Sequence, residues 1–273
     1  MSWGGWSIQP SLAYVLVAGG LYWAGGRGTH RRRPDLKREL AFVAGLVVIV
    51  LALDSPVDDY ADQLFWVHMA QHVMLLSVAP PLILLGRPWP RMWRALPLRF
   101  RTRTGRALAR SSWAAPIRTI ARPLPAWLLF NGTIVAWHIP AAYDATLTSS
   151  IIHDAEHAMF FFAGLLFWAR IVDPGPLRPR MAWPARIAYV VGAMTVGWVL
   201  AVVLVVAPHP LYGYYAALAH RPGGLTALGD QELAAGIMWV PGSAAFGIAL
   251  MSTVYRWLDP NAATRPRSTA LTT

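Results

Sequence analysis

Seven long apolar runs dominate this chain, and each is long enough to cross a lipid bilayer as a helix. They cover approximately residues 8–26, 39–55, 61–86, 124–140, 152–172, 184–207 and 231–258. A hydrocarbon core about 30 Å thick needs roughly 20 helical residues, and about 17 to 25 are tolerated. Because lipid offers no partners to backbone polar groups, such runs form helices rather than open strands. The sequence therefore predicts an all-α, polytopic membrane protein with seven transmembrane helices.

Composition favours lipid as the main solvent of the protein. The chain is 56% hydrophobic and 14% charged, whereas a soluble domain carries roughly 25% charged residues. The net charge of +11 suggests nucleic acid, but the arginines lie between and at the ends of the apolar runs, so we expect no nucleic-acid partner. We interpret residues 1–260 as one seven-helix domain, and we expect the polar residues 261–273 to form a disordered cytoplasmic tail.

The distribution of basic residues predicts the orientation. Of the 24 basic residues, 23 lie in the first, third and fifth loops, at the ends of the adjoining runs, and in the tail. The other three loops carry acids and a single arginine, Arg221. By the positive-inside rule the N-terminus lies outside and the C-terminus lies in the cytoplasm. In the basic third loop (87–123), a segment near 98–113 forms either a helix on the anionic leaflet or a solvated basic loop.

Five histidines are predicted to gather near the outer ends of three helices. His68 and His72 lie four residues apart in the third run, so both project from one helical face. His153 and His157 repeat this spacing at the outer end of the fifth run, and His138 ends the fourth. Below the first pair, two consecutive prolines (80 and 81) are expected to kink or end the third helix.

This pattern suits a metal ion. The chain has no cysteine, so its ligands would be imidazole, thioether or carboxylate, and Met69 accompanies the first histidine pair. Imidazole with thioether favours copper, and imidazole with carboxylate also suits zinc. Asp54 and Glu156 are candidates to orient an imidazole ligand without binding the ion themselves. The histidines could instead be hydrogen-bonding groups between helices, and the participation of two loop histidines, His209 and His220, stays open.

Four sequence motifs resemble those of the polytopic CtaG-type cytochrome c oxidase assembly factors of bacteria. The match extends from about residue 40 to residue 258. The motifs are the SP at Ser55–Pro56, HMAQHVMLLSVAPPLILLGRP (68–88), WHIPAAYDATLTSSIIHDAEHAMFFFAGLLFW (137–168) and DQELAAGIMW (230–239).

The resemblance implies a multi-pass protein of the bacterial inner membrane that helps to assemble haem-copper oxidase. It implies a role in copper delivery, with oxidase subunits and extracytoplasmic copper chaperones as partners. The residues that it implies are His68, His72, His138, His153 and His157, with Asp230 and Gln231.

Three functional hypotheses follow. The first is a non-enzymatic factor that binds copper on the outer side and delivers it to the oxidase. The second is a haem protein with axial histidines, although i,i+4 pairs are poorly suited to ligands that must approach from opposite faces. The third is an intramembrane zinc hydrolase in which Asp54, Glu156 or Asp230 serves as the base.

Overall fold

All regular structure in the described part of the chain is helical. The computed structural model describes residues 10–27, 35–110, 116, 119–172 and 181–259. Its helices are α1 Pro10–Gly26, α2 Leu36–Leu53, α3 Pro56–Ala61, α4 Phe65–Leu85, α5 Pro88–Ala95, α6 Leu98–Arg110, α7 Pro123–Trp137, α8 Pro140–Thr148, α9 Ser150–Val172, α10 Trp183–Val206, α11 Gly213–Ala217 and α12 Ala227–Leu258. The all-α prediction is therefore confirmed for these residues, and the predicted tail at 261–273 lies outside them.

Four of these helices are long and apolar enough to cross a membrane. They are α4, α9, α10 and α12, with 21, 23, 24 and 32 residues. Large apolar side chains such as Val206, Ile248 and Met251 are exposed on α10 and α12, as expected for a surface in contact with lipid. The other three predicted spans contain α1, α2 and α7, which have 17, 18 and 15 residues. Seven crossings and an outward N-terminus stay predictions.

Helix α4 lies at the centre of the packing. It contacts α2 and α3 on one side, α9 on another and α12 on a third. Below its first turns, aromatic rings join α7, α9 and α10: Phe130 and Phe167 stack at 4.1 Å between centroids, and Phe167 and Tyr189 at 4.7 Å. Because α4 carries the first histidine pair and α9 the second, their contact decides whether the pairs meet.

The two prolines of α4 distort the helix without ending it. Pro80 has no N–H to donate to the carbonyl of Leu76 four residues earlier. The chain forms a π turn over Met74–Val78 and then continues as α-helix to Leu85. The indole Nε1 of Trp168 on α9 donates to the Leu76 carbonyl at 3.0 Å, which replaces the missing bond. Gly164 permits this approach, since a Cβ there would lie 2.7 Å from the Leu76 oxygen.

The basic third loop contains two helices, α5 and α6. Helix α6 is rich in arginine and carries partly exposed apolar residues, among them Leu98 and Phe100. The segment near 98–113 is thus helical as far as Arg110, and residues 111–113 lie outside the described residues. Contact of α6 with a membrane surface stays a prediction.

Replacing Trp168 with phenylalanine should destabilise the protein. The change leaves the Leu76 carbonyl buried without a donor, which costs about 1–3 kcal/mol. Trp198→Phe is the matched control, because its Nε1 also donates at 2.7 Å, but to a serine in an exposed contact. We expect thermal unfolding in detergent to show a lower midpoint for Trp168→Phe than for Trp198→Phe. Equal midpoints would contradict the assigned role of the indole.

Candidate metal centre

Two helices bring four histidines and one glutamate together in the interior. Helix α4 contributes His68 and His72, and α9 contributes His153, Glu156 and His157. The ring centroids of His68 and His153 are 5.3 Å apart, and those of His72 and His157 are 5.5 Å apart. The two i,i+4 pairs that the sequence singled out therefore face each other across the α4–α9 contact. We call these five residues the His/Glu cluster.

Glu156 lies at the centre of the His/Glu cluster. Its side chain is fully buried, and its Oε2 is 3.7 Å from His68 Nε2 and 3.5 Å from His72 Nε2. One ligand atom from each of His68, His153, Glu156 and His157 lies within 4.8 Å of the others. Two ligands bound at about 2.0 Å and at a tetrahedral angle lie about 3.3 Å apart. The two distances from Glu156 to His68 and His72 exceed this value by only a few tenths of an ångström, and the 4.8 Å limit of the four-atom group exceeds it by about 1.5 Å.

The hydrogen bonds of His68 fix which of its nitrogens carries the proton. Tyr215 donates its hydroxyl proton to the carbonyl of Ala61, which can only accept. The same hydroxyl lies 3.0 Å from His68 Nδ1, so Nδ1 must be the donor in that contact. Neutral His68 therefore presents a lone pair on Nε2, the nitrogen that faces Glu156. This is the tautomer that a metal ligand requires.

Most of the remaining polar atoms of the His/Glu cluster lack a hydrogen bond. Among the described residues, none is formed by either nitrogen of His72, by Nε2 of His68, His153 or His157, or by either oxygen of Glu156. Buried polar atoms left without a hydrogen-bond partner cost free energy. A cation between them would satisfy several lone pairs at once. Imidazoles with a carboxylate suit Cu²⁺ or Zn²⁺.

Asp230 and Gln231 support the site by binding backbone groups. The carboxylate of Asp230 accepts bonds from the N–H groups of Phe65 (2.9 Å) and Trp66 (3.0 Å), where it satisfies donors at the start of α4 and complements the helix dipole. Gln231 donates to the Leu204 carbonyl at 2.9 Å and accepts from Leu211 N–H at 2.7 Å. Asp230 thus positions the helix that carries His68, Gln231 connects α12 with α10 and the segment after it, and these bonds lie outside the His/Glu cluster.

Asp54, His209 and His220 lie elsewhere. Asp54 follows the last turn of α2 and accepts a hydrogen bond from Ser11 Oγ, at 3.0 Å to each oxygen. It thereby connects the ends of α1 and α2. His209 and His220 are exposed in the segments between α10 and α12, and the structure does not bring them to the His/Glu cluster.

His138 and Met69 face each other away from the His/Glu cluster. His138 Nδ1 bonds the Ile134 carbonyl at 2.7 Å, and its Nε2 lies 3.4 Å from the Met69 sulfur. The structure therefore divides the six predicted ligands into two groups. Four histidines gather around Glu156, and the fifth pairs with the methionine.

Two residues that contribute to the site escaped sequence reasoning. Tyr215, on the five-residue helix α11, orients the His68 ring across 147 positions of sequence. Asp144 on α8 caps α11 by accepting from the N–H groups of Gly213 (3.0 Å) and Tyr214 (3.2 Å). The signal available in the sequence is the aromatic run LYGYY at 211–215, which is unusual in a loop.

Comparison with known proteins identifies the family. Residues 20–259 match the model of the cytochrome c oxidase caa3 assembly factor family, Caa3_CtaG. The chain belongs to this family. The resemblance stated from the sequence motifs is thereby confirmed, and the family is one of assembly factors for cytochrome c oxidase.

Curated relatives of this Caa3_CtaG chain occur in mycobacteria. Uncharacterised proteins of Mycobacterium bovis and Mycobacterium tuberculosis are each 25% identical over 260 residues, and one of Mycobacterium leprae is 22% identical over 263 residues. Each alignment covers 92% of this chain and 39% of the relative, so the chain spans about two fifths of their length. No solved structure matches it.

Removing the Tyr215 hydroxyl should weaken divalent-metal binding. In Tyr215→Phe the His68 ring loses the acceptor that keeps the proton on Nδ1, and such supporting contacts are worth roughly 10–100-fold in metal affinity. Titration of the purified protein with Cu²⁺ and Zn²⁺ measures this. Tyr214→Phe is the control, because the neighbouring tyrosine is only partly buried. If Tyr215→Phe binds both ions like wild type, the tautomer argument is wrong.

Proposed function

We propose that this protein is a non-enzymatic assembly factor that binds copper through the His/Glu cluster and delivers it to a nascent haem-copper oxidase. The observation that carries the proposal is the set of buried imidazole nitrogens and carboxylate oxygens between α4 and α9 that form no hydrogen bond among the described residues. Membership of the oxidase assembly family supplies the client. Copper is here the cargo of the protein.

The His/Glu cluster is suited to exchange because one edge of it is accessible. His68, His72, Glu156 and His157 are buried, while His153 is only partly buried. Asp62, in the turn before α4, is exposed and lies close enough to His153 for an electrostatic interaction between the two side chains. An incoming cation would meet this carboxylate first and then His153. A copper chaperone or an oxidase subunit would dock at this same edge of the His/Glu cluster.

We also propose that the His/Glu cluster lies on the extracytoplasmic side. The loop charges place the starts of α4 and α9 outside. Because α4 begins at Phe65, a rise of 1.5 Å per residue puts His68 and His72 about 5 and 10 Å below its outer end. The apolar run predicted from the sequence begins at residue 61, but α3 ends at Ala61, so the depth is counted from Phe65.

The geometry gives less support to the two other hypotheses. A haem needs a flat macrocycle between its axial ligands, but the rings of the His/Glu cluster lie as close as 4.1 Å between centroids, for His153 and His157. For a zinc hydrolase, Asp54 and Asp230 are engaged with Ser11 and with the start of α4. Glu156 is the third candidate base, and it faces His68 and His72 as an additional ligand would.

Substitutions in the His/Glu cluster should reduce oxidase assembly. In cells lacking the native protein, we expect His68→Ala with His72→Ala, and separately Glu156→Gln, to lower oxidase activity at least several-fold and to lower the copper content of the purified oxidase. The variant proteins should remain in the membrane fraction. His209→Ala is the control, since that histidine is exposed in a loop. Full oxidase activity in both cluster variants would refute the delivery role.

The proposed topology can be tested because the chain contains no cysteine. Ala219→Cys places one thiol in the exposed segment before α12, and Ala107→Cys places one on α6. We expect a membrane-impermeant maleimide to label the first and not the second in intact cells or spheroplasts. Both should react after the membrane is permeabilised. The reverse pattern would place the His/Glu cluster on the cytoplasmic side and overturn the proposal of external loading.

A further inference from the structure

A second pair of potential ligands lies beside the His/Glu cluster. Met69 follows His68 directly on α4, so its side chain points about 100° away around the helix axis. It meets His138, which ends α7, with 3.4 Å between Met69 Sδ and His138 Nε2. Both side chains are buried, at 1% and 7% exposure. Imidazole and thioether are thus brought together from two helices that are far apart in sequence.

The hydrogen bond of His138 Nδ1 leaves no hydrogen between His138 Nε2 and Met69 Sδ. His138 Nδ1 is 2.7 Å from the carbonyl of Ile134, which can only accept, so Nδ1 carries the hydrogen. In the neutral ring, Nε2 is then a lone-pair acceptor, and the thioether of Met69 is a weak acceptor as well. A second proton on Nε2 would leave a charge on a buried ring whose contact is a thioether, which is costly. Two acceptors therefore face each other.

Met69 and His138 both line one cavity. It has a volume of about 60 Å³, measured as the space open to the centres of water molecules, and about 10–15 Å³ on that measure holds one water. Its wall contains His72, Met69 and His138 on one side. Two further methionines line it from α10 and α12, Met194 and Met238. An ion between Met69 and His138 would find additional thioethers within the same space.

We propose that Met69 Sδ and His138 Nε2 form a second metal site, selective for a soft monovalent ion such as Cu⁺. Thioether sulfur selects Cu⁺ over harder ions, and imidazole accompanies it in copper sites. Metal bonds of about 2.0 Å to nitrogen and 2.3 Å to sulfur, meeting at a tetrahedral angle, separate the two donors by about 3.5 Å. The 3.4 Å between them is close to that distance. Met194 and Met238, which line the same cavity, are the candidates for its remaining ligands.

His72 connects this soft site with the His/Glu cluster. Its Nε2 lies 3.5 Å from Glu156 Oε2, and its side chain also lines the cavity next to Met69. The two sites thus share one wall and differ in chemistry. The His/Glu cluster suits a divalent ion, and the soft site suits a monovalent one. The role of the soft site in the cell rests on the proposed copper-handling function. Its selectivity for monovalent ions can be measured on the purified protein.

The test is a comparison of soft and divalent ions on the purified full-length protein. Cu⁺ is titrated anaerobically in competition with a chromogenic chelator, Ag⁺ serves as an analogue that does not change oxidation state, and Zn²⁺ reports the His/Glu cluster. Met69→Leu removes the sulfur at nearly constant volume. We expect at least about a tenfold loss of Cu⁺ and Ag⁺ affinity with Zn²⁺ binding unchanged. Met251→Leu is the control, because that methionine is 71% exposed on α12.

A second variant separates the loss of a ligand from damage to the fold. His138→Asn keeps an amide N–H near the position of Nδ1 and removes Nε2, and it should also weaken Cu⁺ and Ag⁺ binding alone. X-ray absorption of the Cu⁺-loaded protein should show sulfur at about 2.3 Å, with fewer sulfur ligands in Met69→Leu. Wild-type Ag⁺ affinity in Met69→Leu, or an equal loss of Zn²⁺ and Ag⁺ binding, would overturn the proposal.

The failure of this inference can be told apart from the failure of the proposed function. The double variant Glu156→Gln with His153→Ala should lose Zn²⁺ binding and retain Ag⁺ binding. That result supports a separate soft site whether or not the variant still assembles active oxidase. Loss of both ions in that variant contradicts a separate site. Oxidase assembly is scored in cells as an independent measurement.

Discussion

The close approach of α9 to the π turn of α4 sets the distances within the His/Glu cluster. Pro80 leaves the Leu76 carbonyl without its helical donor, Trp168 supplies one from α9, and Gly164 allows the two backbones to meet. The helices are thereby held together just below His72 and His157. A polar cluster in a membrane helix bundle needs such a support, because side chains rich in lone pairs do not attract one another in a medium of low dielectric constant.

The polar residues around the cluster act mainly on backbone groups. Asp230 caps the start of α4, Asp144 caps α11, and Gln231 connects α10 with the following segment. In a bilayer, an unsatisfied N–H or carbonyl is costly, so acids and amides at helix ends satisfy it and at the same time fix the helices. Few polar groups then remain to bond the imidazoles. This explains how a helix bundle can keep several imidazole and carboxylate atoms in its interior without a hydrogen-bond partner among the described residues.

Much of the fold could be predicted from the sequence, since apolar length alone located the helices and the i,i+4 spacing of His68/His72 and His153/His157 indicated two facing pairs. The partners of individual side chains could not be predicted. Met69 was grouped with the first histidine pair as a ligand, but its sulfur meets His138, because consecutive side chains on a helix point about 100° apart. Tyr215 was missed because its hydrogen bond with His68 depends on how the segment between α10 and α12 folds back onto α4. Hydropathy does not predict that fold. Glu156 was recognised as a candidate, but its central position required coordinates.

The hydrogen bond that His68 Nδ1 donates to the Tyr215 hydroxyl has a consequence for how a bound ion would leave. Tyr215 belongs to α11, a short helix on the segment between α10 and α12, and Asp144 holds the start of that helix. A docking protein that displaced α11 would withdraw the hydroxyl from Nδ1. The imidazole could then rotate and move its hydrogen to the other nitrogen, and Nε2 would cease to be a committed ligand. Under the proposed copper-delivery function, docking of an oxidase subunit at α11 would in this way weaken the bond between His68 and the ion.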